Sequence, residues 1–408
     1  MLKGNAIVGQ SGGPTAAINA TLAGVIKGAY DCECIDTLFG ALNGIEGILK
    51  GTTCILNDIV KTEEDIRHLC DTPAAALGSC RKKLPVYTED SAPYEQIFDF
   101  FKKNDIRYFF YIGGNDSMDT VAKLNAYSQI SGYEIRVMGV PKTIDNDVMG
   151  TDHTPGYGSA AKFIAASMAE MLRDTAVYKV KAVTIVEIMG RDAGWLTAAA
   201  ALPRLTSDVA PDLVYLPEVP FDFDAFYADI EKAFEKHPNV VVAVSEGART
   251  ASGEYVGASS QSGVKDVFGH AYLSGTGKAL ELAVKNKLGC KVRSVELNIL
   301  QRCASHIASK TDIDESLMVG AAAVKAAAEG ETGKMMTFVR ADGDEYKVTA
   351  ASEDIDKIAN MVREVPREFI NAEGNNVTDE CLRYIAPLIK GETCPEYKNG
   401  LPVHFVIK

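Results

Sequence analysis

Short apolar runs alternate with polar loops and helix-like stretches along most of the chain. The clearest apolar runs are residues 5–9, 106–112, 134–140, 182–189 and 240–245. Helical patterns follow several of the loops, at 15–29, 118–129 and the Ala-rich 195–202. Continuous apolar strands that alternate with helices predict mostly parallel sheets with helices on both faces. Because ligands of such sheets bind beyond the carboxyl ends of the strands, these loops are the candidate functional positions.

Composition and charge narrow the class of protein. The chain has 408 residues, 47% of them hydrophobic and 24% charged, which suits two domains or one large α/β enzyme. Its formal net charge of −13 disfavours nucleic acid and membrane partners, so any anion must be captured locally by a few basic residues and backbone N–H groups. The Gly/Ser-rich segment 251–263 predicts a surface loop or insertion.

The ends and the cysteines indicate a soluble protein of the cytoplasm. Residues 1–5 lack the basic segment and long apolar stretch of a secretory signal, and no apolar run reaches the ~18 residues of a membrane span. The nine cysteines show no paired metal-binding spacing, so we expect reduced thiols. The six histidines form no HExxH motif, and a zinc enzyme is not expected.

Two glycine pairs, Gly12-Gly13 and Gly113-Gly114, follow predicted strands and precede helices. Such a loop turns several N–H groups and the positive end of a helix dipole toward one point, where a phosphate can bind. Neither loop has P-loop or dinucleotide-binding spacing, and either could be only a tight turn. Asp116, two residues after the second pair, could equally cap the helix that follows.

The loop 141–147 is unusually acidic and also contains a lysine. In an extended segment Thr143, Asp145 and Asp147 project on one face, with Lys142 nearby. Such a group suits phosphoryl transfer, with one Asp as base, another for Mg²⁺ and the lysine for developing charge. The alternative is a turn rich in Asp and Asn. Arginine forks match phosphate oxygens, although each candidate could instead form a surface salt bridge; the candidates are Arg191, Arg293 and Arg302.

In their order along the chain, these motifs resemble the phosphofructokinase family. The matching segments are SGGPTAAINA at 11–20, LGSCR at 77–81, GGNDS at 113–117, PKTIDND at 141–147, IVEIMGR at 185–191, AVSEGA at 243–248 and LQR at 300–302. The resemblance implies an α/β fold of two three-layer α/β/α Rossmann-like domains with mostly parallel sheets. Residues 1–150 plus about 303–345 would hold the phosphoryl donor. Residues of about 151–302 plus 346–408 would hold fructose 6-phosphate.

The family's residue roles transfer onto matching positions. Asp145 resembles the base that takes the proton of the C1 hydroxyl of fructose 6-phosphate. The sugar-phosphate contacts implied are Thr143, Asp145, Met189, Gly190, Arg191, Glu246, Arg293 and Arg302. Members usually lend the contact at Arg293 to a neighbouring subunit, which implies a homodimer or tetramer. Gly13 and Lys142 match the diphosphate site, Arg81 a donor-phosphate contact, and Asn115 and Asp147 a Mg²⁺ site.

Two positions indicate the phosphoryl donor. ATP-using members typically have Gly at positions 116 and 142, whereas pyrophosphate-using members have Asp and Lys, as here. Asp116 would repel the α-phosphate of a nucleotide, and Lys142 would stabilise a pyrophosphate leaving group. The resemblance therefore implies reversible transfer from pyrophosphate to fructose 6-phosphate, giving fructose 1,6-bisphosphate and phosphate, a step of glycolysis and gluconeogenesis. The alternatives are an ATP-dependent 6-phosphofructokinase or a non-catalytic, sugar-phosphate-binding regulatory subunit.

Overall fold

A computed structural model describes residues 1–206, 209–258, 275–343, 345–359 and 361–407. Residues 259–263 of the predicted Gly/Ser-rich loop lie outside this part of the chain. The strands are β1 (Gly4–Gln10), β2 (Ile35–Ala41), β3 (Thr53–Ile55), β4 (Ile106–Gly113), β5 (Arg136–Pro141), β6 (Ala182–Ile188), β7 (Leu213–Tyr215), β8 (Asn239–Ser245), β9 (Lys291–Glu296), β10 (Lys334–Arg340), β11 (Val348–Asp354), β12 (Tyr397–Lys398) and β13 (Leu401–Pro402).

The α-helices fall mostly between these strands. They are α1 (Ile18–Tyr30), α2 (Gly44–Lys50), α3 (Leu56–Ile59), α4 (Glu63–Asp71), α5 (Ala92–Lys103), α6 (Asn115–Ser131), α7 (Tyr157–Ala176), α8 (Trp195–Ala199), α9 (Phe223–Phe234), α10 (Thr276–Leu288), α11 (Leu300–Cys303), α12 (Lys310–Ala328) and α13 (Asp379–Ile385). The strands and helices predicted from the apolar pattern are present within a few residues of the expected bounds.

The larger sheet has seven strands in the order β11-β10-β5-β4-β1-β2-β3. Its inner pairs are parallel, while β3 and β11 at the edges run antiparallel to their neighbours. Alternate residues of β1 face opposite layers: Val8 packs with α1 and α12, and Ile7 packs with α5 and α6. This alternation buries both faces of the sheet and makes the three-layer arrangement that the sequence predicts.

The smaller sheet has four parallel strands in the order β7-β8-β6-β9. Its β8 strand alternates in the same way. Val241 belongs to the apolar layer of α7 and α8, whereas Val242 belongs to the layer of α9 and α10. The α/β fold with mostly parallel sheets is therefore confirmed.

The chain passes between the two sheets more than once. After the smaller sheet, α12 returns to pack on α1, and the β10–β11 hairpin extends the edge of the larger sheet. The domain boundary expected near residue 345 falls inside this hairpin, between β10 and β11. The assignment of residues to the two domains stays a prediction.

All nine cysteines are free, and only Cys394 is exposed. None of the described helices combines the length and the apolar character needed to cross a membrane.

Candidate active site

Loops at the carboxyl ends of both sheets surround a cavity of about 420 Å³. Strands β1, β4 and β5 are neighbours, so the loops that follow them meet at one edge of the larger sheet. Strands β6 and β8 bring their loops together in the same way on the smaller sheet. The cavity is lined by Ser11, Gly12, Gly13, Arg81, Gly114, Asn115, Asp116, Ser117, Lys142, Thr143, Asp145, Asp147, Arg191, Asp192, Ala193, Glu246 and Val362.

The first glycine loop supports the lysine of the acidic loop. The ammonium of Lys142 donates a hydrogen bond of 2.6 Å to the main-chain carbonyl of Gly13. Gly12 has a φ of +78°, and a Cβ there would lie 3.3 Å from Lys142 Nζ. Any other residue at this position would therefore be strained and would crowd the lysine. The second glycine loop holds the same segment, because Lys142 N donates to Gly113 O at 2.9 Å.

The carboxylates of the acidic loop are set by an unusual residue between them. Asn146 has a φ of +55°, in the left-handed region that asparagine tolerates better than most residues. Its side chain accepts from Thr154 N at 3.0 Å and donates to Tyr384 Oη at 3.0 Å. With Asn146 turned away and fully buried, Asp145 and Asp147 both line the cavity, as the sequence predicts.

Several charged side chains are buried together in the site, and their burial shifts the pKa values of Lys142, Asp145 and Asp147. Burial lowers the pKa of Lys142 to about 8, although the neighbouring Asp145 and Asp147 oppose this shift. Burial raises the pKa of Asp145, against the positive charges of Lys142 and Arg191. It also raises the pKa of Asp147 to about 7, with a further contribution from the charge of Asp145. Proton affinities near neutrality are those that acid–base chemistry needs.

Asn115 and Asp147 form a pair of oxygen donors at one side of the cavity. Asn115 Nδ2 donates to Asp147 Oδ2 at 3.3 Å, while the buried Oδ1 of Asn115 has no hydrogen-bond partner among the described residues. A buried acceptor without a partner is costly unless something else binds it. Carboxylate and amide oxygens are ligands suited to Mg²⁺. The residues present therefore fit a divalent cation.

The smaller sheet contributes the loop after β6. Gly190 has a φ of +130°, and a Cβ there would lie 2.5 Å from the carbonyl of Ala193. Its N–H donates to Glu246 Oε1 at 3.4 Å, and its carbonyl accepts from Ser245 Oγ at 2.6 Å. Arg191 lines the cavity, whereas Met189 and Gly190, which the sequence also predicts as sugar-phosphate contacts, do not. Burial raises the pKa of Glu246 to about 8.

The two remaining arginines lie in different places. The Arg302 guanidinium lies 3.4 Å from the position that a Cβ on Gly13 would occupy, beside the cavity. Its positive charge also contributes to lowering the pKa of Lys142. Arg293 instead lies on β9, an exposed edge strand, in a separate recess next to Tyr178 and Lys291. Within one chain, Arg293 is therefore not brought to the cavity.

Three cavity residues were missed by sequence reasoning: Asp192, Ala193 and Val362. Asp192 directly follows Arg191, so its position in that loop was an available signal. Val362 carried no signal, because it lies more than 200 residues beyond the acidic loop and in no recognisable motif. It reaches the cavity through an antiparallel bridge with Val148.

Comparisons with known proteins agree with this geometry. The phosphofructokinase family model matches residues 5–327. A protein of Halomonas elongata named pyrophosphate–fructose 6-phosphate 1-phosphotransferase is 41% identical over 406 residues, covering 98% of this chain and 96% of the relative. A protein of the same name from Methylococcus capsulatus is 40% identical over 403 residues, covering 98% and 94% of the two chains.

The fold is also similar to that of a solved structure. The crystal structure of a pyrophosphate-dependent phosphofructokinase from Marinobacter aquaeolei superposes with a TM-score of 0.87 at 36% sequence identity. The match covers 98% of this chain and 95% of that one. The similarity thus extends over nearly the whole chain, including residues beyond 327.

Proposed function

This chain belongs to the phosphofructokinase family, and on that premise we propose that it transfers a phosphoryl group reversibly from pyrophosphate to the C1 hydroxyl of fructose 6-phosphate. The products are fructose 1,6-bisphosphate and phosphate. The relatives that share about 40% of its residues over nearly its full length carry the name of this reaction. The cytoplasmic location stays a prediction.

The observation that carries the choice of donor is that Asp116 and Lys142 line one cavity with Asp145. Asp116 is the second residue of α6, the helix that follows the second glycine loop. A carboxylate there repels the additional phosphate of a nucleotide, whereas pyrophosphate leaves that space free. Lys142, held between the two glycine loops, supplies a cation for the smaller donor.

The residues of the cavity divide the chemistry between them. Asp145 accepts the proton of the C1 hydroxyl while the oxygen of that hydroxyl attacks the nearer phosphorus of pyrophosphate. The bond from that phosphorus to the bridging oxygen breaks, and inorganic phosphate leaves with its charge stabilised by Lys142. Thr143 Oγ1 lies 3.4 Å from Asp145 Oδ2 and helps to fix the orientation of the base.

The remaining cavity residues bind and orient the two substrates. Arg191 and Arg302 offer guanidinium forks to the sugar phosphate, and Glu246 accepts from sugar hydroxyls. The N–H groups around Gly13 bind the diphosphate. Asn115 and Asp147 would hold a divalent cation, Mg²⁺ in this proposal, which when bound neutralises charge on the donor phosphates.

Self-association completes the proposal. Arg293 is exposed on the edge strand β9 and distant from the cavity of its own chain. In a dimer or tetramer it reaches the sugar-phosphate site of a neighbouring subunit. In this arrangement, residues 1–150 and about 303–345 hold the donor, and about 151–302 with 346–408 hold the sugar phosphate.

A comparison of donors tests the function. Initial rates of fructose 6-phosphate phosphorylation are measured with pyrophosphate and with ATP at equal Mg²⁺ concentrations. The reverse reaction is measured from fructose 1,6-bisphosphate and phosphate. We expect turnover with pyrophosphate in both directions and little with ATP. Activity with ATP alone would support the ATP-dependent enzyme instead, and no turnover with either donor would support the regulatory subunit.

A further inference from the structure

A short segment far along the chain, residues 362–365, packs against the acidic loop and the residue after it. We refer to it as the C-terminal clasp. It begins 35 residues after the family model ends at residue 327. It contacts the acidic loop 141–147 directly, and it also contacts Trp195, the residue that follows the sugar-phosphate loop 189–194.

The main chain of the clasp pairs with the acidic loop. Arg363 N donates to the carbonyl of Asp147 at 2.8 Å, and Val362 forms an antiparallel bridge with Val148. These contacts fix the backbone of Asp147, and Val362 itself lines the cavity. The clasp therefore limits how far the two carboxylates of the loop can move.

The side chain of Arg363 acts on the neighbouring residue. Its Nη1 donates to the carbonyl of Asn146 at 3.4 Å, and both Nη atoms lie 3.3 Å from Tyr384 Oη. The same hydroxyl accepts from Asn146 Nδ2 at 3.0 Å and donates to Asp152 O at 2.7 Å. Arg363 and Tyr384 thus hold both ends of a residue whose left-handed backbone is intrinsically unfavourable.

The clasp is also attached to Trp195 and, through Glu218, to the end of the sugar-phosphate loop. Trp195 Nε1 donates to Arg363 O at 3.0 Å, and the guanidinium lies 4.4 Å from the centre of the Trp195 ring system. Glu218 Oε1 accepts from both Gly194 N and Val365 N, each at 2.8 Å. One carboxylate oxygen therefore joins the end of the sugar-phosphate loop to the clasp.

We propose that Arg363 is a positioning residue that sets the acidic loop relative to the sugar-phosphate loop, and so aligns Asp145 with the hydroxyl it deprotonates. The proposal rests on the proposed function. Arg363 does not line the cavity, and it acts through the carbonyls of Asn146 and Asp147. Because a misplacement of about 1 Å can cost about 100-fold in rate, positioning of this kind has a measurable kinetic effect.

The test is Arg363→Met in the full chain, with fructose 6-phosphate binding and steady-state kinetics measured together. Methionine keeps an apolar stem over Trp195 but cannot donate to Asn146 O. We expect kcat to fall about 10- to 100-fold, while the KM of fructose 6-phosphate changes less than about threefold. Arg363→Lys, which retains a cation and a donor, should recover part of the loss.

The matched control is Arg367→Met, at a position four residues further along the chain, just outside the clasp. Arg367 also donates to main-chain carbonyls, those of Ile370, Asn371 and Ala372, but it does not contact the acidic loop. Its removal should leave kcat within about twofold of the wild-type value. Equal losses of kcat in the two variants, or an unchanged kcat in Arg363→Met, would overturn the proposal.

A second variant covers the case in which Arg363→Met does not fold. Tyr384→Phe removes only the hydroxyl that holds Asn146; we expect a kcat loss of about 3- to 30-fold in a protein that still folds, with a lowered melting temperature because the buried partners of the hydroxyl lose their hydrogen bonds. A wild-type kcat in this variant would count against the proposal. The wild-type protein is assayed in parallel, so a failure of the proposed function appears as no wild-type turnover with pyrophosphate.

Discussion

Lys142 and Gly13 are joined by a hydrogen bond of 2.6 Å from the lysine ammonium to the glycine carbonyl. They lie 129 residues apart in the chain; Gly13 belongs to the first glycine loop and Lys142 to the acidic loop. The contact is possible because β1 and β5 flank β4 in the larger sheet. It fixes the cation at the place where the donor would bind, and it makes the ionisation of Lys142 important for activity.

The ionisation of Lys142 predicts an alkaline limit to activity. Because burial lowers its pKa to about 8, the ammonium loses its proton as the pH rises through that value. We expect kcat/KM for pyrophosphate to fall on the alkaline side with an apparent pKa near about 8. In Lys142→Arg the guanidinium stays charged to about pH 12, so this limb should move upward even if the overall rate is lower. If the alkaline fall in kcat/KM keeps the same apparent pKa in Lys142→Arg, a group other than Lys142 is responsible for it.

Replacing Asp116 by glycine should relax the choice of donor. The change removes the carboxylate that faces the space of a nucleotide's additional phosphate. We expect the ratio of ATP to pyrophosphate activity to rise at least about tenfold, equivalent to about 1.4 kcal/mol. The control is Asp119→Gly, which also places glycine near the start of α6 but removes a carboxylate paired with Lys123. A similar rise of this activity ratio in Asp119→Gly would show that glycine acts by weakening α6, and not by removing the carboxylate of Asp116.

Loss of the base should abolish most of the chemistry. In Asp145→Asn the side chain keeps its shape but cannot accept the proton, so kcat should fall about 10²- to 10⁴-fold. Asp314→Asn, which removes an exposed partner of Lys310, should retain wild-type kcat. Both variants are compared by steady-state assay and by fructose 6-phosphate calorimetry. An Asp145→Asn protein with wild-type turnover would contradict the assignment of the base.

A buried histidine predicts pH-dependent stability. His153 contacts Asp152 Oδ2 at 2.8 Å and Glu315 Oε2 at 2.7 Å. Burial lowers its pKa, but the two carboxylates outweigh this effect and raise the pKa above its usual value. Since the folded pKa is raised, the cation stabilises the protein fully below about pH 6.5. This stabilisation is lost as the pH rises through the folded pKa.

The corresponding variant is His153→Gln. It leaves the buried Glu315 without its cation, whereas Asp152 keeps an ion pair with Arg340 at 2.9 Å, and it should cost about 3–5 kcal/mol in the free energy of unfolding at pH 6. The difference from wild type should shrink at alkaline pH, where the wild-type histidine has lost its proton. Denaturant titrations at both pH values provide the measurement, with His404→Gln at an exposed position as the control. An equal loss at both pH values would show that packing, not charge, is responsible.

Local patterns in the sequence determined the strands, the loops that follow them and most of the cavity. Apolar runs identified β1, β4, β5, β6 and β8, and glycine pairs or clustered carboxylates marked the loops at their ends. These features could be predicted because strand periodicity and turn chemistry depend on residues that are close in the chain. Parallel pairing then brings the carboxyl ends together with no further information.

The tertiary structure alone decided which distant segments complete the site. The clasp at 362–365 reaches Asp147 across more than 200 residues, through main-chain hydrogen bonds that leave no signature in side-chain type. The left-handed Asn146 depends on Tyr384 and Arg363 in the same way. Arg293, a contact that the family resemblance implies, lies on an edge strand and does not line the cavity. Residue types reveal which chemistry is possible, but the packing of remote segments determines where each group lies.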